Sequence, residues 1–254
     1  MNPRPISVAA IAVPHGFFTR EGGVSDGPFA SLNASLSGAD DRARVLENRA
    51  RAARALGADP ALLVGLTQVH GADVATVTEP WAPGAGPRAD AMVTAQPGIA
   101  LGIVTADCAP VLFADAAQGV VGAAHAGWRG ALAGVLEATV AAMVALGARE
   151  SHIAAAIGPC IAQASYEVGA DLRDAVLARD LADERFFAAG RAGHWQFDLP
   201  GYCRARLLAA GVAAHITGHD TRADEARFFS HRRRTLSGGG PIGHQISVIA
   251  CARS

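Results

Sequence analysis

The chain has 254 residues, of which 50% are hydrophobic and 18% are charged, and its formal net charge is −1. A chain of this length and apolar content can bury a large core, and its charge gives no electrostatic reason to expect nucleic acid or an anionic membrane as a partner. No apolar segment is long enough to span a bilayer, and residues 1–13 lack the pattern of a secretory signal. We therefore expect a globular cytoplasmic protein. The four cysteines form no C-x-x-C pair and agree with a reducing compartment.

The N-terminal region is predicted to contain one strand and one capped helix. Residues 6–13 form an apolar run typical of a strand, and the segment that follows is rich in turn formers. Asp40 and Asp41 then precede an Arg- and Ala-rich segment whose apolar residues recur at helical spacing. This helix is expected to begin after the two acidic caps, to end at Gly57 and to expose its arginines to solvent.

The central region is predicted to be rich in strands. The runs with strand composition are residues 62–69, 73–78, 91–94, 99–105, 111–114 and 119–124. His70 lies between the first two runs and is therefore expected in a turn. The last two runs read as a hairpin. If Ala114 faces Gly119 in that hairpin, Cys108 faces His125, so a thiol and an imidazole meet at its open end.

A glycine-lined turn follows the hairpin and leads into a helix predicted at residues 131–146. Arg129 lies in this turn, where its planar guanidinium beside free backbone N–H groups suits an anion. Further strands are predicted at residues 153–157, 227–230 and 245–251, and further helices at residues 169–179 and 199–210. Strands and helices alternate irregularly and no linker separates two domains, so we expect an α+β fold in which helices cover mixed sheets.

The thiol of Cys108 and the imidazole of His125 define a candidate site. With His70 as a third ligand they make the one-thiolate, two-imidazole set that leaves the fourth position of a zinc ion open, as in catalytic sites. A second interpretation needs no metal: Cys108 is a nucleophile, His125 is its base, and Asp107 or another polar group orients the base. A third is a structural zinc site that Asp107 or Cys160 closes as fourth ligand. Spacing alone does not decide among these three sites. It also does not exclude a purely structural pair, in which a buried cysteine lies beside a hydrogen-bonded histidine.

Six segments of the sequence together carry a resemblance to one known family. They are Thr67-Gln68-Val69-His70-Gly71, Ala89-Asp90-Ala91-Met92-Val93-Thr94, Thr105-Ala106-Asp107-Cys108-Ala109-Pro110-Val111-Leu112, His125-Ala126-Gly127-Trp128-Arg129-Gly130, Ile157-Gly158-Pro159-Cys160-Ile161 and Tyr166-Glu167-Val168-Gly169. Weaker similarity at residues 18–25 and 228–233 extends the match over nearly the whole chain. On these segments the chain resembles the laccase-domain family. Its YfiH-like members are described as polyphenol oxidases, peptidoglycan editing factors or zinc-dependent purine nucleoside phosphorylases.

The resemblance implies a single catalytic domain over residues 1–254, built as an α-β-β-α sandwich with helices outside two β layers. It implies that His70, Cys108 and His125 are the metal ligands, with zinc as the metal and copper as the alternative. It also implies phosphorolysis of adenosine, inosine and S-methyl-5'-thioadenosine. Because a zinc-bound water can attack C6 of adenine, we also expect deamination of adenosine in the same pocket. The expected partners are therefore purine nucleosides and phosphate, and we expect a monomer or weak homodimer.

For such a phosphorylase we hypothesise that Arg20, Gln68 and Arg129 bind substrate, with the two arginines holding the phosphate. Three positions depart from the family pattern, and all three bear on substrate choice: Ser37 stands in place of a usual His, Asp220 in place of the Cys of a Cys-Thr pair, and His244 in place of an Arg. None of these departures affects the three metal ligands.

Two other functions stay open at this point. A Cys–His hydrolase acting on an amide or a peptidoglycan precursor would use Cys108 as its nucleophile. A copper-dependent polyphenol oxidase would use the same three ligands to hold copper. Multicopper oxidases hold their clusters with many histidines, whereas this chain has nine histidines and no His-x-His pair.

Overall fold

The computed structural model describes residues 3–251, which form six α-helices and three β-sheets. The helices are α1 (Arg42–Ala55), α2 (Trp128–Ala133), α3 (Val135–Ala145), α4 (Ala170–Arg179), α5 (Leu199–Ala209) and α6 (His231–Leu236). The strands are β1 (His15–Phe17), β2 (Leu63–Val64), β3 (Val74–Thr76), β4 (Ala91–Thr94), β5 (Ala100–Thr105), β6 (Ala109–Asp115), β7 (Val120–Ala126), β8 (Ala154–Ile157), β9 (Glu167–Val168), β10 (Phe187–Ala189), β11 (Trp195–Phe197), β12 (Ala213–Ile216) and β13 (Gln245–Ala250). Among the described residues, no helix is both long and apolar enough to cross a membrane.

Two mixed sheets pack face to face and helices cover their outer faces. The larger sheet has the strand order β12-β8-β6-β7-β4-β3, and the smaller has the order β1-β13-β5-β2. Along β6, Val111 and Phe113 pack with the helical core formed by α3 and α5, whereas Leu112 and Ala114 pack against the smaller sheet. Helix α1 covers the other face of the smaller sheet. The predicted α-β-β-α sandwich with mixed sheets is therefore confirmed, and a third sheet, β10-β11-β9, lies beside it.

The β6–β7 hairpin forms as predicted, but its register differs from the predicted one by two residues. Pro110, rather than Cys108, lies opposite His125. The turn lies one residue further along the chain than predicted: Asp115 pairs with Val120, its carboxylate accepts two loop N–H groups at 3.1 and 3.2 Å, and the loop ends at Gly119, with φ +65°. A shift of two residues keeps every side chain on its original side of the sheet, so Cys108 and His125 still meet.

Two predicted strands are wrong. In residues 6–13 the only bridge is the one that joins Ile6 to β1. There, the Val8 N–H donates to the His15 ring at 2.9 Å instead of joining a ladder. Residues 227–230 form a turn and an irregular segment because Asp224 accepts the first two N–H groups of this stretch. In both cases a side chain or a turn competes with sheet pairing for the backbone donors.

Helix α1 begins and ends as predicted, but one of its arginines is buried. The Asp41 side chain accepts the Arg44 N–H at 3.0 Å, and Gly57 follows the helix with φ +71°. Arg49 is only 5% exposed and donates to the Ala34 carbonyl at 3.3 Å, so the expectation that all arginines face solvent is wrong there. Burial lowers the pKa of Arg49 to about 10.

The helix predicted at residues 131–146 is two helices. Gly134 adopts φ +97°, a left-handed conformation that ends α2 and starts α3 in a new direction. Helix α2 is consequently short and follows directly from the end of β7, next to His125. This connection carries Arg129 to the edge of the sheet where the predicted ligands lie.

Candidate active site

The structure brings His70, Cys108 and His125 together from three separate places in the chain. His70 lies in the turn before β3, Cys108 directly precedes β6, and His125 lies in β7. One potential ligand atom from each lies within 4.8 Å of the other two. Cys108 Sγ is 3.9 Å from His70 Nε2, and the two imidazole rings meet edge to face with centroids 4.7 Å apart. These three atoms can therefore converge on one ion.

Asp90, which the sequence reasoning missed, holds two of these residues in place. Its fully buried carboxylate accepts the N–H groups of Val69, His70 and Gly71 at 2.6 to 3.2 Å. It also contacts His125 Nδ1 at 2.8 Å, which turns the other ring nitrogen toward the cluster. The three N–H bonds support the left-handed conformation of His70, whose φ is +62°. The signal was present in the sequence, since a carboxylate at the start of the buried strand β4 requires donors.

The charges of the cluster reinforce one another. Burial opposes ionisation of Cys108, but the imidazoles of His125 and His70 outweigh it and lower the pKa of the thiol to about 6. Burial also disfavours the charged ring of His125, but the Cys108 thiolate and the Asp90 carboxylate outweigh it and raise the pKa of His125 to about 9. The site therefore favours the thiolate, which is the form that binds metal or acts as a nucleophile.

Gly127 leaves the space in which the three side chains meet. A Cβ atom at this position would lie 3.0 Å from Cys108 Sγ and 3.1 Å from His70 Cδ2. Its φ of −69° is accessible to any residue, so the glycine is required by this close approach and not by the backbone. Helix α2 can thus begin in contact with the cluster.

Gly127→Ala is expected to weaken zinc binding by about tenfold or more, because the added methyl group displaces a ligand atom and two ligands cannot both keep their geometry. A competition titration with a chromogenic zinc chelator measures this change. Gly38→Ala is the matched control, since a Cβ there meets nothing within 4 Å. Equal zinc affinities of the two variants would contradict the proposed packing.

Neither residue considered as a fourth ligand joins the cluster. The Asp107 carboxylate accepts from Thr221 Oγ1 at 2.7 Å, Ser230 Oγ at 2.9 Å and the Arg232 N–H at 2.6 Å, so it anchors the C-terminal segment. It does not orient His125, which Asp90 does. Cys160 is buried outside the cluster, and within residues 3–251 no other His, Cys, Asp or Glu joins the three ligands.

The cluster lines a cavity of about 430 Å³ at the edge of the two sheets. Gln68 also lines it, but its amide is fixed by the backbone of Val104, with bonds of 2.8 and 2.9 Å. Arg129 also lines the cavity. Its side chain is exposed, and its guanidinium lies 4.4 Å from the Trp128 ring centroid. It forms no hydrogen bond or ion pair with the residues that the structure describes, so its donors can meet a ligand.

Arg20 does not reach this cavity. Its guanidinium donates to the carbonyls of Ala30 at 2.7 Å and Glu225 at 3.2 Å, and it stacks 4.5 Å from the Phe229 ring centroid. The hypothesis that Arg20 holds phosphate is therefore corrected: it joins three segments of the fold. Arg232, which the sequence reasoning did not select, lines the cavity instead.

Two of the three departures from the family pattern line the cavity. Ser37 and His244 lie on its wall, whereas Asp220 does not. The Asp220 carboxylate accepts from Ser165 Oγ at 2.6 Å and the Arg222 N–H at 3.0 Å, and thereby fixes a loop. Ser37 and His244 are thus placed to influence substrate choice.

Residues 14–252 match the family described as multi-copper polyphenol oxidoreductase laccase. This chain belongs to that laccase family. A relative called purine nucleoside phosphorylase from Deinococcus radiodurans is 44% identical over 96% of this chain and 91% of its own length. The purine nucleoside phosphorylase YfiH of Escherichia coli is 41% identical over 93% of each chain.

Solved structures of the laccase family share the fold. YlmD from Geobacillus stearothermophilus superposes with a TM-score of 0.89 and 32% identity, over 100% of this chain and 97% of that one. YfiH from Bacillus licheniformis superposes with a TM-score of 0.86 and 31% identity, over 93% and 91% of the two chains. The chain is thus similar to these proteins over nearly their full lengths.

Proposed function

We propose that this laccase-family chain is a zinc-dependent purine nucleoside phosphorylase. Its substrates would be adenosine, inosine and S-methyl-5'-thioadenosine, and the same pocket would deaminate adenosine. The observation that carries the proposal is the convergence of one thiol and two imidazoles in a cavity that also contains a guanidinium with unengaged donors. The names of the relatives at 41 and 44% identity support the reaction class. We further propose that residues 1–254 act as one catalytic domain in the cytoplasm.

The donor set fits zinc. His70, Cys108 and His125 supply two imidazoles and one thiolate, and the bond from Asp90 to His125 is the kind of outer contact that fixes a metal-ligating ring. Copper is the alternative, because thiolate and imidazole ligands suit both metals. A bound divalent ion would supply Lewis acidity and lower the pKa of a water in its open position.

Phosphorolysis replaces the bond from C1' of the ribose to the purine nitrogen with a bond from C1' to a phosphate oxygen. The chain must therefore hold a phosphate dianion beside C1' and keep bulk water away. Arg129 and Arg232 both line the cavity. The Arg232 guanidinium is anchored by a 2.7 Å bond to the Glu167 carbonyl and lies 5.3 Å from the Tyr166 ring centroid. These two cations are suited to bind the phosphate oxygens.

Arg129→Gln is expected to raise the KM for phosphate by about tenfold or more, because a charge-assisted contact is lost, while the KM for adenosine changes little. Initial rates measured over a range of phosphate concentrations test this. Arg191→Gln is the control, since Arg191 lines a neighbouring pocket but not this cavity. A rise in the KM for adenosine alone would assign Arg129 a different role.

A direct assay tests the function itself. The purified chain, loaded with zinc, is incubated with adenosine and phosphate, and the products are separated by chromatography. We expect ribose 1-phosphate with adenine from phosphorolysis, and inosine from deamination. If neither ribose 1-phosphate nor inosine forms, the proposal is wrong.

A second candidate is the Cys–His hydrolase, which two observations favour. The pKa of Cys108 is lowered, and Asp90 holds His125 as it would hold a catalytic base. This function requires no metal, so chelators would leave its activity unchanged and iodoacetamide would abolish it. For the oxidase named in the family description, added copper should support phenol oxidation. The described residues provide only one three-ligand group for it.

A further inference from the structure

One wall of the cavity is polar but carries no fixed charge. Ser35, Ser37 and His244 line it, and they come from the loop before α1 and the segment before β13. This wall belongs to the side of the smaller sheet, since β13 pairs with β5 there. Arg129 follows β7 of the larger sheet and lies on the other side. The cavity therefore has a cationic side and an uncharged polar side.

A single buried amide fixes this wall. Asn33 is fully buried, and its Oδ1 accepts the Ser35 N–H at 3.2 Å and the His244 N–H at 2.9 Å. The Ala34 N–H donates to the His244 carbonyl at 3.0 Å, which ties the two segments a second time. The backbone positions of Ser35 and His244 are thus set before any ligand enters.

The imidazole of His244 has no partner within the described residues. Its Nδ1 is buried without a hydrogen bond, and its Nε2 forms none either. Burial, and then the neighbouring rings of His231 and His125, lower the pKa of His244 to about 4, so the ring is neutral at pH 7. A neutral imidazole has one N–H donor and one acceptor nitrogen. A half-buried ring with a buried nitrogen that no protein group satisfies is a candidate for contact with substrate.

All three side chains of this wall can either donate or accept a hydrogen bond. Serine hydroxyls rotate to suit their partner, and the Oγ atoms of Ser35 and Ser37 already lie 3.2 Å apart. Val104 and Ala106 line the same cavity and add apolar surface. Apolar surface beside polar groups matches a flat heteroaromatic ring, which has two apolar faces and a polar edge.

We propose that Ser35, Ser37 and His244 bind the edge of the purine that carries its 6-substituent, and that His244 is a specificity-determining residue. This inference rests on the proposed phosphorylase function and adds the orientation of the nucleoside. The phosphate lies at Arg129, the reacting bond lies near the metal ligands, and the base points toward His244. A 6-amino group donates and a 6-oxo group accepts, and this wall satisfies both. Adenosine and inosine are consequently accepted at similar rates.

The test compares three nucleosides that differ only at position 6: adenosine, inosine and unsubstituted purine riboside. Release of ribose 1-phosphate is measured for the zinc-loaded wild type, His244→Ala and His244→Asn. His244→Ala is expected to lower kcat/KM about tenfold for adenosine and for inosine, with purine riboside unchanged. His244→Asn, whose amide keeps a donor and an acceptor, should show a smaller loss for the same two substrates. His219→Ala, outside the cavity, is the control.

Equal losses for all three nucleosides, or no loss for any, would overturn the role of His244. If the alanine variant does not fold, the asparagine variant is judged by the same ratios. A wild type that releases no ribose 1-phosphate from any of the three contradicts the proposed function itself. An active wild type with equal losses in the variants contradicts only the placement of the base.

Discussion

His70→Ala is expected to lose the bound metal and to lower phosphorylase activity by at least about a thousandfold, since the metal supplies several kcal/mol of transition-state stabilisation. Two remaining ligands from the protein hold a divalent ion poorly. The variant should still fold, because the His70 side chain is exposed and its loop is held through backbone N–H groups by Asp90. Metal content by mass spectrometry and initial rates with adenosine measure the two effects.

This substitution also separates the two candidate functions. The Cys–His hydrolase needs only Cys108 and His125, so it would keep its activity without His70. Cys108→Ser cannot make this distinction, because it removes a ligand and a nucleophile together. The exposed His152, outside the cavity, provides the control His152→Ala. A His70→Ala variant with full metal content would contradict the proposed site.

Asp90→Asn is expected to have the second-largest effect. Asparagine has the same shape as aspartate. Its NH₂ group, however, would face a backbone N–H group from which the carboxylate accepts a hydrogen bond, so a buried donor would be left unpaired. We expect the free energy of unfolding to fall by about 2 to 4 kcal/mol and zinc affinity to fall by about 10 to 100-fold. Urea unfolding of the metal-free chain and zinc competition titration measure the two changes separately.

Asp115→Asn is a matched control for this prediction. Asp115 is also buried, at 1% exposure, and also accepts backbone N–H groups. It lies at the closed end of the β6–β7 hairpin, whereas the metal ligands lie at the open end. Asp115→Asn should lower the free energy of unfolding by a similar amount and leave zinc affinity unchanged. If both variants lose the same zinc affinity, Asp90 acts through general stability and does not position the ligands.

Strand β4 and the capped helix α1 could be predicted because burial and capping act locally. Strand β4 occupies Ala91–Thr94, as predicted from its apolar run, and Asp41 caps α1 through its own side chain. The hairpin was predicted for the same reason. Its register was not, because it depends on hydrogen bonds that the Asp115 carboxylate accepts from loop N–H groups, which the apolar pattern does not encode.

The candidate site was predictable only in its chemically distinctive residues. Cys108, His125 and His70 stand out because few residue types can bind a metal. The sequence signals only that a carboxylate at Asp90 needs donors; which backbone N–H groups reach Asp90 and Asn33 depends on the fold. The same limit explains Arg20, which resembles a phosphate ligand in sequence but is engaged by backbone carbonyls from distant segments.

The most direct test of the three-ligand metal site is X-ray absorption at the zinc edge on the purified, zinc-loaded chain. We expect one zinc ion per chain with one sulfur at about 2.3 Å, two imidazole nitrogens at about 2.0 to 2.1 Å, and one further light ligand that is not a protein side chain. A spectrum without sulfur, or a chain that does not retain zinc, would contradict it. So would a coordination shell filled by four protein ligands.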